Sequence, residues 1–538
     1  VTPCQFLRSA LAVGFASLIG IFVLAPQQGE AHDFLLQHQV ETAPESGLYH
    51  RVERAESWKP SQTAIIVCDM WDSHHCYRAV ERATEMAPRM NALLKKAREM
   101  GVVIIHAPSD CMDAYQSHPA RKRAMSVPAA NNFPAEIAEW CYKIPSEELA
   151  DYPIDQSDGG EDDTPEEHAA WEKVLVARGL NPKAPWTHQM DALEIDSDRD
   201  YISDSGTEIW SLLESKGIEN VVLTGVHLNM CVLGRPFGLR RMVAGGKNAV
   251  VIRDLTDTMY NPAAEPYVNH FSGTDLILDH IERHVCATIT SDQILDGEPF
   301  QFEDDDRPRL AILIGEGEYE TERTLPAYAV SHLGKTYSVD IIHADVDDPN
   351  HFPGIERIAK ADVLLISVRR RTPPAAEMKV IRDFIQAGKP VVGIRTASHA
   401  FLLRNKKPAA GLADWLTWDA DVFGGSYTNH YGNELFPEIS VVPEAKAHPI
   451  LDQVRPLPYT SKWSLYRVSP LLPGTTALLN GKIEGKPAEP VAWTFTRADG
   501  GRSFYTSLGH KTDFQQPAFQ RLLKNGIDWA VEIPVESK

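Results

Sequence analysis

The sequence predicts two consecutive α/β domains, each a mostly parallel sheet flanked by helices in three layers. Three observations lead there. The chain has 538 residues, more than one hydrophobic core usually organises. Apolar runs of strand length alternate with helical stretches, the order that builds parallel sheets. The alternation pauses at the acidic, Pro- and Gly-containing stretch "LDGEPFQFEDDDRPR" (295–309) and then restarts. That pause marks a linker at 293–308 between domains at 60–292 and 309–534.

Within the first domain, "SQTAIIVCDM" (61–70) reads as a buried strand. The segment 78–101 reads as a helix, with apolar positions recurring at three and four and Gly101 ending it. "VVIIHAPSD" (102–110) is the next strand, 204–218 a helix, 220–226 and 247–254 strands, and 284–291 an edge strand. Between 110 and 204 lies a long insertion, about 142–200, whose "DYPIDQSDGGEDDTPEEHAAWEKVL" is acidic and rich in turn formers. Insertions of this length are active-site lids or solvated surface excursions. In the second domain, 310–317, 337–345, 361–368 and 389–396 read as strands. A helix is expected over 372–388, with Thr-Pro at its start and Gly at its end.

Apolar residues make up 43% of the chain and charged residues 24%, as in ordinary globular proteins. A formal net charge of -21 argues against a partner made of nucleic acid or anionic membrane, either of which needs a basic face. Arg8, the apolar run Ala10–Ala25 and small residues before Ala31 form a secretory signal pattern over 1–31, too short for an ordinary span. Export to a periplasmic or extracellular location is expected, with no membrane association once the signal is removed. The six remaining cysteines permit disulfides without requiring them.

Ligands of parallel sheets collect beyond the carboxyl ends of the strands. Asp69 ends the first strand and Cys231 follows the strand 220–226, so both fall on that edge. A thiol attacks a carbonyl after losing its proton, and a nearby carboxylate can take it. If Cys231 opened a helix, free N–H groups there could hold an oxyanion, although Pro236 disturbs such a helix.

The segments "AIIVCDMWDSHHC" and "LTGVHLNMCVLG" resemble the two hallmark segments of the isochorismatase-like cysteine hydrolases. The resemblance implies hydrolysis of a C–N bond in a small amide or ureide through an acyl-cysteine, with Cys231 as nucleophile and Asp69 as general base. It places His227, Asn229 and Met230 at the oxyanion turn, where the family has a cis peptide. The family's catalytic lysine has no counterpart in "HQMDALEIDSDRDYISDSGTEIW". Arg199 is the candidate cation, with His227, Lys143 and Arg235 as alternatives. Family members of the nicotinamidase type bind a divalent metal, and Asp110, His118, His74 and His75 are loosely similar candidates for zinc, iron or manganese. No cofactor is required by the thiol chemistry. The rival reading of these residues is substrate contact, loop hydrogen bonding or a Cys76–Cys111 disulfide.

In the second domain, "GKPVVGIRTASHAF" is a strand and tight turn where class I glutamine amidotransferase-like folds carry a cysteine, and no cysteine follows residue 286. "DVFGGSYTNHYG", "AHPIL" and the closing "YTSLGH" to "GIDWA" resemble the ThuA-like, trehalose-utilisation domain over about 309–532. That resemblance implies a sugar-associated pocket, with Arg395, His399, His430 and His510 as candidates. The partners expected are a small amide or sugar-derived substrate and a second copy of the chain. The alternative function is an impaired first domain acting as scaffold for a sugar-binding or sugar-processing second domain.

Overall fold

The computed structural model describes Val1 and residues 30–533; the expected signal segment therefore lies mostly outside the described residues. Two sheets with helical layers form the α/β architecture expected from sequence. The first has strands β1 (His32–Glu41), β2 (Tyr49–Trp58), β3 (Thr63–Cys68), β4 (Val103–Ala107), β5 (Tyr201–Ile202), β6 (Asn220–Val226), β7 (Asn248–Asp257) and β8 (Ala287–Ile289), in the order β2-β1-β8-β7-β6-β3-β4-β5. From β8 to β5 every pairing is parallel. β3 lies between β4 and β6 and is buried at all six positions, which explains its unbroken apolar run.

Two features differ from the sequence reading. The sheet begins at His32 rather than near 60, because β1 and β2 form an antiparallel hairpin whose β1 pairs with β8. β8 is accordingly covered, and the hairpin's strand β2 takes the edge. The hairpin carries alternating polar residues, as suits strands with one exposed face. The expected helices appear at Tyr77–Met100 and Gly206–Lys216. Gly101 ends the first in a left-handed conformation, and Ser205 caps the second by accepting the Glu208 N–H.

The second sheet contains β9 (Arg309–Gly315), β10 (Ser338–His343), β11 (Val363–Val368), β12 (Val391–Ile394), β14 (Glu438–Val441), β15 (Tyr459–Thr460), β17 (Thr475–Lys482), β18 (Glu489–Thr496) and β19 (Arg502–Thr506), while β13 (Asn429–His430) and β16 (Tyr466–Arg467) pair separately. Its order is β10-β9-β11-β12-β19-β18-β17-β14-β15. The first five strands are parallel and the remainder antiparallel. The carboxyl ends of β9, β11, β12 and β19 therefore share one edge.

Charged side chains join the two sheets. Arg51 on β2 pairs with Asp279 and Glu282 of the helix His270–His284 and also with Asp340 on β10. Arg357 binds the same Asp340 (2.6 Å) and donates to Gln37 on β1 (2.9 Å). Among the described residues no helix is long and apolar enough to cross a membrane.

Candidate active site

Adjacent strands β3 and β6 deliver Asp69 and Cys231 to the same edge of the first sheet. Gly225 makes the close approach feasible: its φ is 104°, and a Cβ there would meet the Cys68 carbonyl oxygen at 2.1 Å. Cys231 sits in a single wide turn, Leu228–Val232, entered through a cis Val226–His227 peptide. It does not open an α-helix. The next helix starts at Leu239, beyond Pro236, so the proline lies in an irregular connection where it is tolerated.

Asp69 is fully buried and left-handed (φ 47°), a costly conformation for a non-glycine residue. Its Oδ1 accepts the Ser109 N–H (2.8 Å) and its Oδ2 accepts Arg235 Nε (3.0 Å). The carboxylate and the Cys231 thiol lie close enough to act on each other's protonation. Burial raises the pKa of Asp69, opposed by Arg235 and by the Ser109 bond. Burial likewise pushes the Cys231 thiol well up, and the neighbouring carboxylate adds to it, while Arg235 and the His227 backbone N–H favour the thiolate. In this resting arrangement the sulfur holds its proton and the carboxylate is the acceptor facing it.

The cation at the site is Arg235. Arg199, the sequence's first candidate, is not brought there: its guanidinium is 58% exposed and binds Asp196 (2.7 Å). Lys143, an alternative, pairs with Glu148. Arg235 lies four residues after Cys231, and that short separation was the available signal, since neighbouring turns bring such residues to one side. Its guanidinium also lies 5.5 Å from the Trp140 ring and 3.6 Å from Asp110.

The three residues expected at the oxyanion turn have definite tasks. Asn229 clamps Met259, donating to its carbonyl (2.9 Å) and accepting its N–H (3.0 Å). The Met230 N–H is spent on the His227 carbonyl (3.0 Å). His227 directs its backbone N–H to the sulfur, and burial lowers its ring to about 4, so the ring is neutral with its Nε2 unpartnered.

The four metal candidates do not converge. His118 Nδ1 accepts the Ala120 N–H at the start of a helix (3.1 Å), and the Asp110 side chain is mostly exposed. His74 Nδ1 accepts the Cys76 N–H (3.2 Å), while His75 pairs with Glu161 (3.2 Å). With these nitrogens engaged and the four residues forming no common ligand cluster among the described residues, they do not fit the metal that the resemblance implied. Among the described residues, Cys76, Asp162 and Asp163 do cluster. Asp162 is held by Arg82 through two bonds (2.8 and 3.1 Å), and Asp163 accepts the N–H groups of Tyr77 and Arg78, so both carboxylates already have partners. All six described cysteines are free, so Cys76 and Cys111 are not bridged.

The long insertion lies on the loops that carry the site. Trp186 stacks on Trp71 with 4.7 Å between ring centroids, and His74 stacks against both. Trp171 Nε1 donates to the His74 carbonyl (2.8 Å), and the Tyr152 hydroxyl donates to the Asn229 carbonyl (3.2 Å). Glu147 anchors the near end of the insertion through Arg240 (2.8 Å) and His280 (2.9 Å). Gly160 passes so close to Met259 that a Cβ would lie 2.4 Å from its carbonyl oxygen. Trp186 and Tyr152 carry no motif, and Trp71, though within the first hallmark segment, was not singled out; none of the three was legible as a site residue.

At the carboxyl edge of the second sheet, Arg395 follows β12 in the same left-handed conformation (φ 48°) that Asp69 adopts after β3. It donates to the Ser507 carbonyl (2.6 Å) and to Ser464 (3.1 Å), and its guanidinium lies between the Tyr466 and Tyr319 rings, 4.4 and 4.7 Å away. His399 is buried and stacks on Tyr427 at 4.5 Å; His510 stacks on Trp463 at 4.5 Å. His430, by contrast, is exposed on β13 and bonds the Tyr431 carbonyl, which separates it in character from the other three. The aromatic residues of this edge are scattered in sequence and share no spacing that could have grouped them.

Residues 309–530 match the family model described as ThuA, trehalose utilisation. No curated protein matches the chain. Among solved structures, a ThuA-like protein from Parabacteroides merdae is 18% identical, covers 43% of this chain and 93% of its own, and gives a TM-score of 0.32. A cysteine hydrolase from Pseudomonas syringae is 17% identical over 44% of this chain and 92% of its own, with a TM-score of 0.27. An isochorismatase family protein from Burkholderia thailandensis is 14% identical over 43% of this chain and 93% of its own, at 0.24.

Proposed function

We propose that the first domain is a cysteine hydrolase that cleaves a C–N bond in a small amide or ureide. The observation that carries this reading is the buried Asp69 carboxylate held close to the Cys231 thiol, with Arg235 donating to its Oδ2. Asp69 accepts the thiol proton as the sulfur bonds to the carbonyl carbon. The C–N bond then breaks, the leaving nitrogen takes the proton from Asp69, and an acyl-cysteine remains. Water attacks the thioester, giving its proton to Asp69; the acid departs and the thiol is restored. Arg235 supplies positive charge beside the sulfur and the developing oxyanion, the task for which the family uses a lysine. The stacked pair Trp71 and Trp186, next to His74, gives the site an aromatic side against which a planar amide can lie.

The second domain is read as carbohydrate-associated, supported by the family match and by paired aromatic rings at its strand ends. Export to the periplasm or cell exterior is part of the same proposal and rests on the N-terminal pattern alone. Small amides and ureides screened against the protein, beside Cys231→Ser and with a chelator, test the hydrolase. Turnover lost in Cys231→Ser and kept with chelator supports it; turnover retained by Cys231→Ser rejects it and favours the scaffold reading.

A further inference from the structure

The carboxyl edge of the second sheet concentrates positive charge that the protein itself does not neutralise. Arg369, Arg370 and Arg371 follow β11 directly, and their loop is pinned to the turn after β12: the Arg370 N–H donates to the His399 carbonyl (3.1 Å) and the Arg371 N–H to that of Ala400 (2.7 Å). Arg404 follows in the next loop. Only Arg369 has a carboxylate partner, Glu318 at 2.7 Å. Arg370 and Arg371 each donate to one backbone carbonyl, of Leu402 and Gly315 (both 3.0 Å). Arg404 is exposed and, among the described residues, has no hydrogen-bond or ion-pair partner.

Two buried carboxylates face the cluster and both are committed: Glu316 to the hydroxyl of Thr321 and the N–H groups of Glu318, Tyr319 and Thr321, and Asp513, which acts on Arg395, to the Ser461 hydroxyl and the N–H groups of Gly509 and His510. Donors in the same cluster also lack acceptors. Arg395 Nε, on a residue 2% exposed, has none, and neither has Trp463 Nε1. Buried donors without partners are uncommon and call for an acceptor from outside the chain. Arg370, Arg369, Arg404 and Arg395 all lie near enough to His399 to help burial keep its ring neutral, and Arg404 and Arg370 also act on Tyr427, where they oppose the upward push of burial. This stands out in a chain with a net charge of -21.

We propose that this edge binds an anionic carbohydrate, a sugar bearing a carboxylate or a phosphate ester, with Arg370 and Arg404 on the anion and the stacked rings on the sugar. It rests on the carbohydrate reading of the second domain and narrows it. Guanidinium groups bind carboxylate and phosphate through paired N–H donors, while aromatic faces bury the apolar side of a sugar ring.

Calorimetric titration of the full chain with D-glucuronate, D-glucose 6-phosphate, D-glucose, trehalose, inorganic phosphate and acetate tests it. One of the two charged sugars is expected to bind roughly tenfold or more tighter than D-glucose, with affinity falling as salt rises. Arg404→Gln removes no internal bond, so folding is not at risk. It is expected to weaken the charged sugar roughly fivefold to tenfold and leave D-glucose unchanged; Arg370→Gln should act in the same direction. Neutral sugars binding as tightly as charged ones overturn the anion claim and leave the carbohydrate reading standing. Inorganic phosphate or acetate binding as tightly as the charged sugars overturns the sugar part. If no sugar binds at all, both the inference and the reading beneath it fall.

Discussion

Replacing Arg235 by Gln isolates what the guanidinium does for Asp69 and Cys231. Breaking a buried ion pair from one side costs about 3–5 kcal/mol when the other charge stays stranded. Here the carboxylate keeps the Ser109 N–H and the Cys231 thiol, and it can also protonate. The expected loss is therefore at or below the lower end, about 2–3 kcal/mol at neutral pH. The sign with pH follows from Asp69, whose folded pKa is already above its unfolded value because of burial. Between those two values the folded state binds more protons, so this group's contribution falls as pH rises. Removing Arg235 raises the folded pKa further. The penalty of Arg235→Gln must then be largest at pH 7–8 and shrink toward acid, where a neutral Asp69 needs no cation. Urea denaturation of both proteins from pH 5 to 8 measures this. In the activity assay, kcat should fall by roughly 10²–10³-fold, and the acid limb of kcat/KM should move upward. A penalty that is constant with pH, or that grows on acidification, would falsify the assignment of Arg235 as the partner of an ionised Asp69.

Cys231→Ser should lower turnover by on the order of 10⁴-fold or more while leaving the denaturation midpoint nearly unchanged, because the swap removes the nucleophile and little volume. Trp186→Ala should raise KM roughly tenfold with a smaller change in kcat, measured by steady-state kinetics; equal falls in kcat and kcat/KM would place Trp186 in the chemistry instead. Glu147 is buried, yet its bonds to His280 and Arg240 outweigh burial and hold it at about 2. Its pKa is depressed on folding, so its contribution is present above the ordinary carboxylate range and lost as pH falls toward 2. Glu147→Gln should accordingly cost about 2–3 kcal/mol at pH 7 and progressively less below pH 4, read by denaturant titration.

The sheet strands β3, β4, β6 and β7 were legible because buried parallel strands are apolar throughout, and Gly101 with its helix gave a clear stop. The hairpin β1–β2 was not, because a polar, one-faced strand pair such as "HDFLLQHQVE" has no sequence signal distinct from a loop. Asp69 and Cys231 could be placed on one edge by topology alone. Arg235's place four residues after Cys231 was a signal in its favour, but sequence offers no measure of which guanidinium points inward and which rests on Asp196. The aromatic cover over the first site shows the same limit. Trp71 and Trp186 are more than a hundred residues apart, and only the packing of the insertion brings their rings together. In the second domain the triplet Arg369–Arg371 is plain in the sequence, but that only Arg369 of the three pairs with a carboxylate among the described residues is a fact of three dimensions.

Arg51 and Arg357 make Asp340 a shared fastening between the two halves of the chain. The ionic part of this seam weakens with added electrolyte, whereas Val330 packed on the first domain's core and the Asn269 N–H on the Gly334 carbonyl carry no net charge. Protease nicking within 296–308 should thus yield fragments that travel together at low ionic strength and hold each other less tightly in molar salt, and reversing the charge of Asp340 should weaken their association even without it.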